Sequence, residues 1–420
     1  MISRLAASAL LFAATTFQPL NAGITIDPEQ MFTEAMQLRQ SGQLTGAIEL
    51  FETILSKSPD LDRARLELAV SYHQARRYED AKQQLKKVLD NPDTPDTVKL
   101  SVTAYLAQLS SDEKSALKRT SSSIYLSAGI FTDSNTNLGP SNEVVRIANL
   151  TPDSAETSGS GSIIMASFSH RSRASKPFTV FDSLTDMEWH SQATAYSKMY
   201  TGDESDFNLS VIGLSTGPAL IASGHWRALL NIKIDQIYFS GNPYGFNLSL
   251  NPSLTLVLDK DLEISFEHSI TAKELSRSED KQLTGTDSLY GIEASKSFNN
   301  FQLGILGGLR HHSNGAKAND LQSSGLELYL GAQMAITQTA RLYCQISSRD
   351  YDYDAASTGY IIARDETEQQ ALLGMSHDLK DGPLKSWTLN GQYTYIKNKS
   401  NIDAFEYNRN ILEVNLRRYF

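Results

Sequence analysis

From Phe246 to Asp259 the chain alternates: Phe246, Leu248, Leu250, Pro252, Leu254, Leu256 and Leu258 are separated by Asn247, Ser249, Asn251, Ser253, Thr255 and Val257. Successive strand side chains point to opposite faces, so the segment has one greasy face and one mostly polar face. It exceeds an ordinary strand of about 5–6 residues. It reaches the roughly 9–11 tilted residues that cross a bilayer. A soluble sheet turns such a greasy face inward, whereas a membrane barrel turns it outward to lipid.

The same period of two runs from Ser121 to Phe420. It predicts strands near 121–131, 161–171, 186–198, 206–215, 225–239, 244–258, 262–271, 288–298, 301–309, 325–335, 340–349, 366–376, 386–398 and 407–420. Trp387, Leu389, Tyr393 and Tyr395 alternate with Thr388, Asn390, Gln392 and Thr394. Arg227, Lys233 and Asp235 fall on the polar face opposite Trp226, Leu230, Ile232 and Ile234. Short turns are expected at Thr216-Gly217-Pro218, Asp259-Lys260-Asp261, Asn299-Asn300 and Thr337-Gln338-Thr339. Long polar loops are expected at 132–160, 272–287, 310–324 and 350–365. An even strand count with short and long connections alternating predicts a transmembrane barrel with both chain ends on one side.

Between Pro28 and Ser115 the period changes to about 3.6, and similar residues recur 34 positions apart. Leu38 matches Tyr72, Leu44 matches Tyr78, Ala47 matches Ala81, Phe51 matches Leu85 and Ile54 matches Val88. Small alanines let paired helices approach while larger apolar residues fill the seam. GQLTGAIELFETILSKSP and RRYEDAKQQLKKVLDNP resemble tetratricopeptide (TPR) repeats. Gly42, Ala47, Phe51 and Pro59 match in the first, and Leu68, Ala69, Tyr72, Tyr78 and Ala81 in the second, while Glu34 and Arg76 stand where that family usually has Leu and Gly. The resemblance implies packing positions at Leu38, Ala47, Phe51, Leu68, Ala69, Tyr72, Tyr78 and Ala81, a capping helix near 97–109, and a concave face that takes a polypeptide. A purely structural spacer fits the same pattern.

The first residues read as an export signal. Arg4 supplies the charge, Leu5 to Phe17 the apolar core and Leu20-Asn21-Ala22 the exit, so residues 1–22 are expected to be removed. The resulting expectation is a multidomain α + β chain: a short TPR α-solenoid at 28–115, then an antiparallel transmembrane β-barrel of about 14 strands at 121–420.

Composition narrows the function. A net charge of -10 with a pI near 5.4 argues against nucleic acid as a partner. Mean hydropathy is -0.32, and no apolar run of helix-spanning length follows the first segment. Cys344 is the single cysteine, so neither a disulfide framework nor a cysteine metal cluster forms. Asp133, Asn135 and Asn137 mimic the start of a calcium loop, but Leu138 and Val144 replace its required Gly and Glu. Asp350 to Asp354 reads as a solvated acidic loop, and His311-His312 lacks any metal-binding spacing around it. No G-x-S-x-G occurs and nothing places a base beside a nucleophile. No catalytic residue, cofactor or metal is expected, and the chain reads as a non-enzyme.

Leu412, Val414, Leu416 and Phe420 share one face, and the last residue is aromatic. This resembles the C-terminal signal read by the bacterial barrel-assembly machinery, with Arg418 departing from its fully apolar form. The run LSAGIFTDSNTNLGP, with Asp133, Ser134, Asn135 and Asn137, is similar to the "G-x-x-x-D-S-N-x-N" opening of barrels in the Slam family (surface lipoprotein assembly modulators). The resemblance implies a chain in the cell outer membrane, in contact with its lipid, with the TPR part in the periplasm. It implies delivery of client proteins such as lipoproteins to the surface. A polysaccharide-export porin, or a solute channel with a TPR adaptor, fits the architecture as well.

Overall fold

The computed structural model describes residues 28–40, 42–92, 94–138, 156–259, 261–278, 280–298, 302–356 and 359–420. The expected export signal lies outside them. Two compact units meet at Glu113/Lys114.

The first unit is helical: α1 Pro28–Gln40, α2 Leu44–Lys57, α3 Asp62–Gln74, α4 Tyr78–Asp90 and α5 Asp96–Leu117. Antiparallel pairs α1/α2 and α3/α4 are the two repeats. Ala47, Phe51, Ile54, Leu68, Ala69, Ala81, Leu85 and Val88 are all fully buried in one core. Phe32 meets Phe51 edge-on, with centroids 5.6 Å apart. Gly42 and Arg76, 34 positions apart, close α1 and α3 at φ values of 80° and 54°. The left-handed conformation there suits Gly and strains Arg. Glu34 is exposed, because Met31 and Ala35 fill the seam on either side of it.

The second unit is a closed antiparallel barrel of 14 strands. The strands are β1 Thr120–Asp133, β2 Gly159–Arg173, β4 Ser183–Tyr200, β5 Leu209–Ala222, β6 Trp226–Phe239, β7 Asn242–Asp259 and β8 Leu262–Leu275. They continue with β9 Gly285–Phe298, β10 Leu303–Ala316, β11 Ser323–Ala335, β12 Ala340–Ala356, β13 Ala363–Asp378, β14 Thr388–Ser400 and β15 Tyr407–Tyr419. β3, Phe178–Val180, pairs only with the start of β4 and stays outside the ring. β1 pairs with both β2 and β15, from Tyr125↔Tyr419 to Asp133↔Ile411 on the closing side.

The polarity of the wall is inverted relative to a soluble protein. On β11, Leu326, Leu328 and Leu330 are 51%, 59% and 52% exposed, whereas Glu327 and Tyr329 between them are 5% and 3% exposed. On β7, Phe246, Leu248, Leu250, Leu254 and Leu258 are exposed while Ser249 and Thr255 are buried. Such a surface suits hydrocarbon and not water. From Leu326 to Met334 the apolar outer face of β11 rises roughly 20 Å at the usual strand tilt, close to the height of a membrane band.

Three expectations need correction. Thr216-Gly217-Pro218 is not a turn but lies inside β5, where Trp189 pairs with Pro218; the turn follows at Ser223, Gly224 and His225. The β5–β6 pairing lapses at Gly217 and Pro218, between Thr216↔Ile232 and Ala219↔Leu229, with the register unchanged on either side, at the residue that has no N–H to give. A Cβ on Gly217 would lie 1.8 Å from the Leu230 carbonyl oxygen, so only glycine fits the close approach. The long loops expected at 272–287, 310–324 and 350–365 are shorter than their sequence suggests, because strand runs into both ends of each and leaves connections at 276–284, 317–322 and 357–362. Residues 134–158 separate β1 from β2, and 139–155 of them lie outside the described residues. Asp350 to Asp354 accordingly sits in β12, with Tyr351 and Tyr353 turned inward.

Candidate functional site: a clasped seam, a paired lumen and a helical face

The barrel closes where β1 meets β15, and the end of that seam nearest the 134–158 connection carries a network. Asp133 is turned into the lumen with its side chain fully shielded. Arg409 of β15 donates to it twice, Nε to Oδ1 at 2.9 Å and Nη2 to Oδ2 at 2.6 Å. Lys198 Nζ at 3.1 Å and the Tyr200 hydroxyl at 2.8 Å reach Oδ2 from β4. Phe131 meets Tyr200 edge-on with centroids 4.9 Å apart, and the Lys198 ammonium lies 4.4 Å from the Phe131 centroid. A buried carboxylate is tolerated only with such pairing.

The residues after Asp133 continue the clasp. The Asn135 N–H bonds back to Asp133 Oδ1 at 3.3 Å, and its Nδ2 donates to the Asn408 carbonyl at 3.2 Å. Ser134 Oγ accepts the Asn410 N–H at 2.8 Å, and Asn137 Oδ1 accepts the Thr157 N–H at 3.1 Å. The four positions of the Asp-Ser-Asn-x-Asn run thus meet at one place, binding β1 to β15 and to the strand entering β2. A charged cation is unnecessary there, since Arg409 and Lys198 already occupy the carboxylate.

Further charges line the lumen in opposite pairs. Glu327 receives His312 at 2.9 Å and Arg349 at 3.2 Å, and Arg310 bonds Glu267 at 2.6 Å while stacking over Tyr329 at 4.1 Å. Arg173 and His190 hold Glu188, Lys273 holds Asp287 at 2.8 Å, and Arg227 holds Glu263 through two bonds. Such interleaving makes a hydrated wall without a field of one sign. His311 and His312 are split by strand alternation, His311 outward beside Leu326 and His312 inward on Glu327, so they do not act together. Among the described residues no group of three or more His, Cys, Asp or Glu is placed to hold a metal ion.

Along β15 the residues of the C-terminal pattern run from the Asp133 end of the seam, where Leu412 pairs with Thr132, to its other end at Phe420. Leu412, Val414 and Phe420 are exposed on the outer face, with Leu416 half-buried. Phe420 exchanges two backbone bonds with Ile124, and the Arg418 guanidinium lies 4.4 Å from the Phe420 ring centroid. Arg418 therefore covers an aromatic ring with its cation, which relieves the charge on an otherwise apolar face.

In the helical unit, six of the eight packing positions inferred from sequence lie in the buried core, and Leu38 and Tyr78 pack against it. The first helices of successive pairs, α1, α3 and α5, carry polar links that sequence reading missed. Arg39 meets Glu67 at 2.9 Å; His73 bonds the Tyr105 hydroxyl at 2.7 Å and Asp112 at 3.1 Å. The Tyr72 hydroxyl donates to Glu52, and burial followed by that bond pushes its pKa up to about 12. Burial likewise raises Tyr105. No periodic signal announces these links, because their partners lie 20 to 39 positions apart.

Residues 38–97 match the tetratricopeptide repeat family model. No curated protein matches the chain. Among solved structures, the outer membrane protein OprD from Pseudomonas aeruginosa is similar at 8% identity and a TM-score of 0.38, covering 72% of this chain and 93% of that one. OccAB3 of Acinetobacter baumannii gives 7% and 0.39 over 72% and 99%. A Pseudomonas aeruginosa FadL homologue gives 9% and 0.39 over 72% and 90%.

Proposed function

We propose that this chain is an outer-membrane translocator or assembly factor that delivers client proteins, lipoproteins among them, to the cell surface. The observation that carries the reading is the pairing of a TPR-type helical unit with an inside-out barrel in one chain. Repeat stacks of this kind present a face for a polypeptide, and the wall of the barrel suits lipid. In this reading the helical unit lies in the periplasm and docks the client, and the C-terminal pattern ending at Phe420 addresses the chain to the barrel-assembly machinery. The similarity of the Asp133 to Asn137 run to the Slam family points the same way.

The test is protease shaving of whole cells followed by a surface-proteome comparison. It sets wild type against a deletion strain, complemented with the full chain or with one lacking 23–118. Loss of one or a few surface proteins, restored by the full chain alone, supports the reading. An unchanged protein surface overturns it. A solute channel is the second reading, favoured by the hydrated, charge-balanced lumen; it requires conductance that survives removal of 23–118.

A further inference from the structure

Inside the barrel, on the half of the lumen nearer Thr120 and Tyr419, lies a cavity of about 480 Å³. That is within the range of small-molecule sites, roughly 300–1,000 Å³. Its lining is dominated by phenol rings, amides and hydroxyls. Tyr343 with Asn390 and Gln392 forms one hydrogen-bonded group in the lining, which Gln333, Tyr196 and Ser127 share.

Tyr343 is a built platform. It stands in register with Gly374 on β13, and a Cβ at Gly374 would come 2.2 Å from Tyr343 Cζ, so the ring rests on the bare backbone. Its hydroxyl is fixed by Asn390 Oδ1 at 3.0 Å and Gln392 Oε1 at 3.3 Å. Both amides keep their NH2 groups for another acceptor, and the phenol oxygen keeps its lone pairs. Gln333, Tyr196 and Ser127 make no side-chain hydrogen bond to the described residues. Three charged side chains also line the space: Arg341 binds Asp378 at 3.2 Å, Glu413 accepts from the Asn415 amide at 3.0 Å, and Arg417 acts on the same Asp378 through its charge.

We propose that this chamber binds a neutral, hydroxyl-rich chain, an oligosaccharide, within the lumen. A sugar ring offers an apolar C–H face to the Tyr343 platform and hydroxyls, both donor and acceptor, to the amides around its edge. An anion would lie beside the Glu413 carboxylate and would have to compete with Asp378 for Arg341, and an apolar solute would strand the amides without partners. The idea is independent of the docking role assigned to the helical unit, and its failure leaves that role untouched.

The experiment is equilibrium binding to the full chain in detergent micelles, read by saturation-transfer NMR and titration calorimetry, so it does not depend on the lumen conducting. The probes are maltohexaose, a polyethylene glycol of equal mass and a neutral Gly-Ser peptide. Maltohexaose is expected to bind saturably while the glycol does not. Tyr343→Ala should weaken it by about tenfold or more, and Tyr343→Phe, which keeps the ring, by no more than about threefold. Gln333→Ala, on a different strand, should weaken it as well, and decides the matter should Tyr343→Ala fail to fold. Maltohexaose binding no better than the glycol, preferential binding of the peptide, or undiminished binding by the folded variants would each overturn the proposal.

Discussion

Arg409 holds Asp133 with two parallel hydrogen bonds, 2.9 and 2.6 Å, across 276 positions of sequence. Planar guanidinium against carboxylate is the strongest geometry for such a pair. Removing Arg409 leaves the shielded Asp133 carboxylate with Lys198 and Tyr200 on Oδ2 alone and takes the cation from Oδ1. Arg409→Ala is expected to destabilise the barrel by about 3–5 kcal/mol, and Arg409→Lys by somewhat less, because a lysine cannot reproduce the fork. Urea unfolding in micelles, followed by the heat-modifiable gel shift, measures this. The double variant Asp133→Asn/Arg409→Ala should lose less than the two single losses together.

The inverted wall makes an asymmetric prediction along one strand. Leu328→Arg places a cation near the middle of the outer face of β11 and is expected to cost about 2–4 kcal/mol in folding into lipid vesicles. Ser323→Arg, turned inward at the end of the same strand, should cost far less. Equal losses would contradict the assigned orientation of β11.

In the helical unit, Phe51 is fully buried against Phe32 and its removal opens a cavity. Phe51→Ala should cost about 3–5 kcal/mol of helical stability. Loss of the 222 nm signal at lower temperature, with the gel shift of the barrel unchanged, would register it.

Arg76 repays attention for the opposite reason. It adopts φ 54° where its counterpart Gly42 adopts 80°. Arg76→Gly should stabilise the helical unit by about 1 kcal/mol by removing the left-handed penalty. A fall in its melting temperature would refute this.

Alkali should destabilise the helical unit. Tyr72 titrates near 12 in the folded unit against about 10 unfolded, so folding favours its protonated form. The contribution of Tyr72 is therefore constant below pH 10 and declines as pH rises toward 12. Lys82, raised first by its bond to Glu113 and then by Glu79, loses its contribution over the same alkaline range. Glu79 is lowered mainly by the Lys82 bond, so its contribution fades instead in acid. Tyr72→Phe should flatten the alkaline decline, as followed by helical circular dichroism.

Much of this architecture was legible from periodicity alone. Alternation around Leu248 and Leu328 named the wall and its faces, and the 34-residue match from Phe51 to Leu85 named the repeats. Strand ends were not legible, because every backbone group in a closed barrel finds a neighbour whatever its side chain. Polar runs such as Asp350 to Asp354 therefore remain strand where composition suggests loop. Gly217-Pro218 misled in the same way: a dipeptide typical of turns is held extended by its neighbours. The Asp133 clasp was visible as a motif but not as an ion pair, since only closure brings Arg409 beside it.

Closure has a consequence for the order in which this wall becomes complete. β1 takes its second neighbour from β15, and Phe420 itself bonds Ile124. Any chain cut short of that last strand carries two raw edges, one on β1 and one on β14, whose amides have no water to turn to in hydrocarbon. The ring is thus an all-or-none object, and its earliest strand waits, unmated on one side, for its latest.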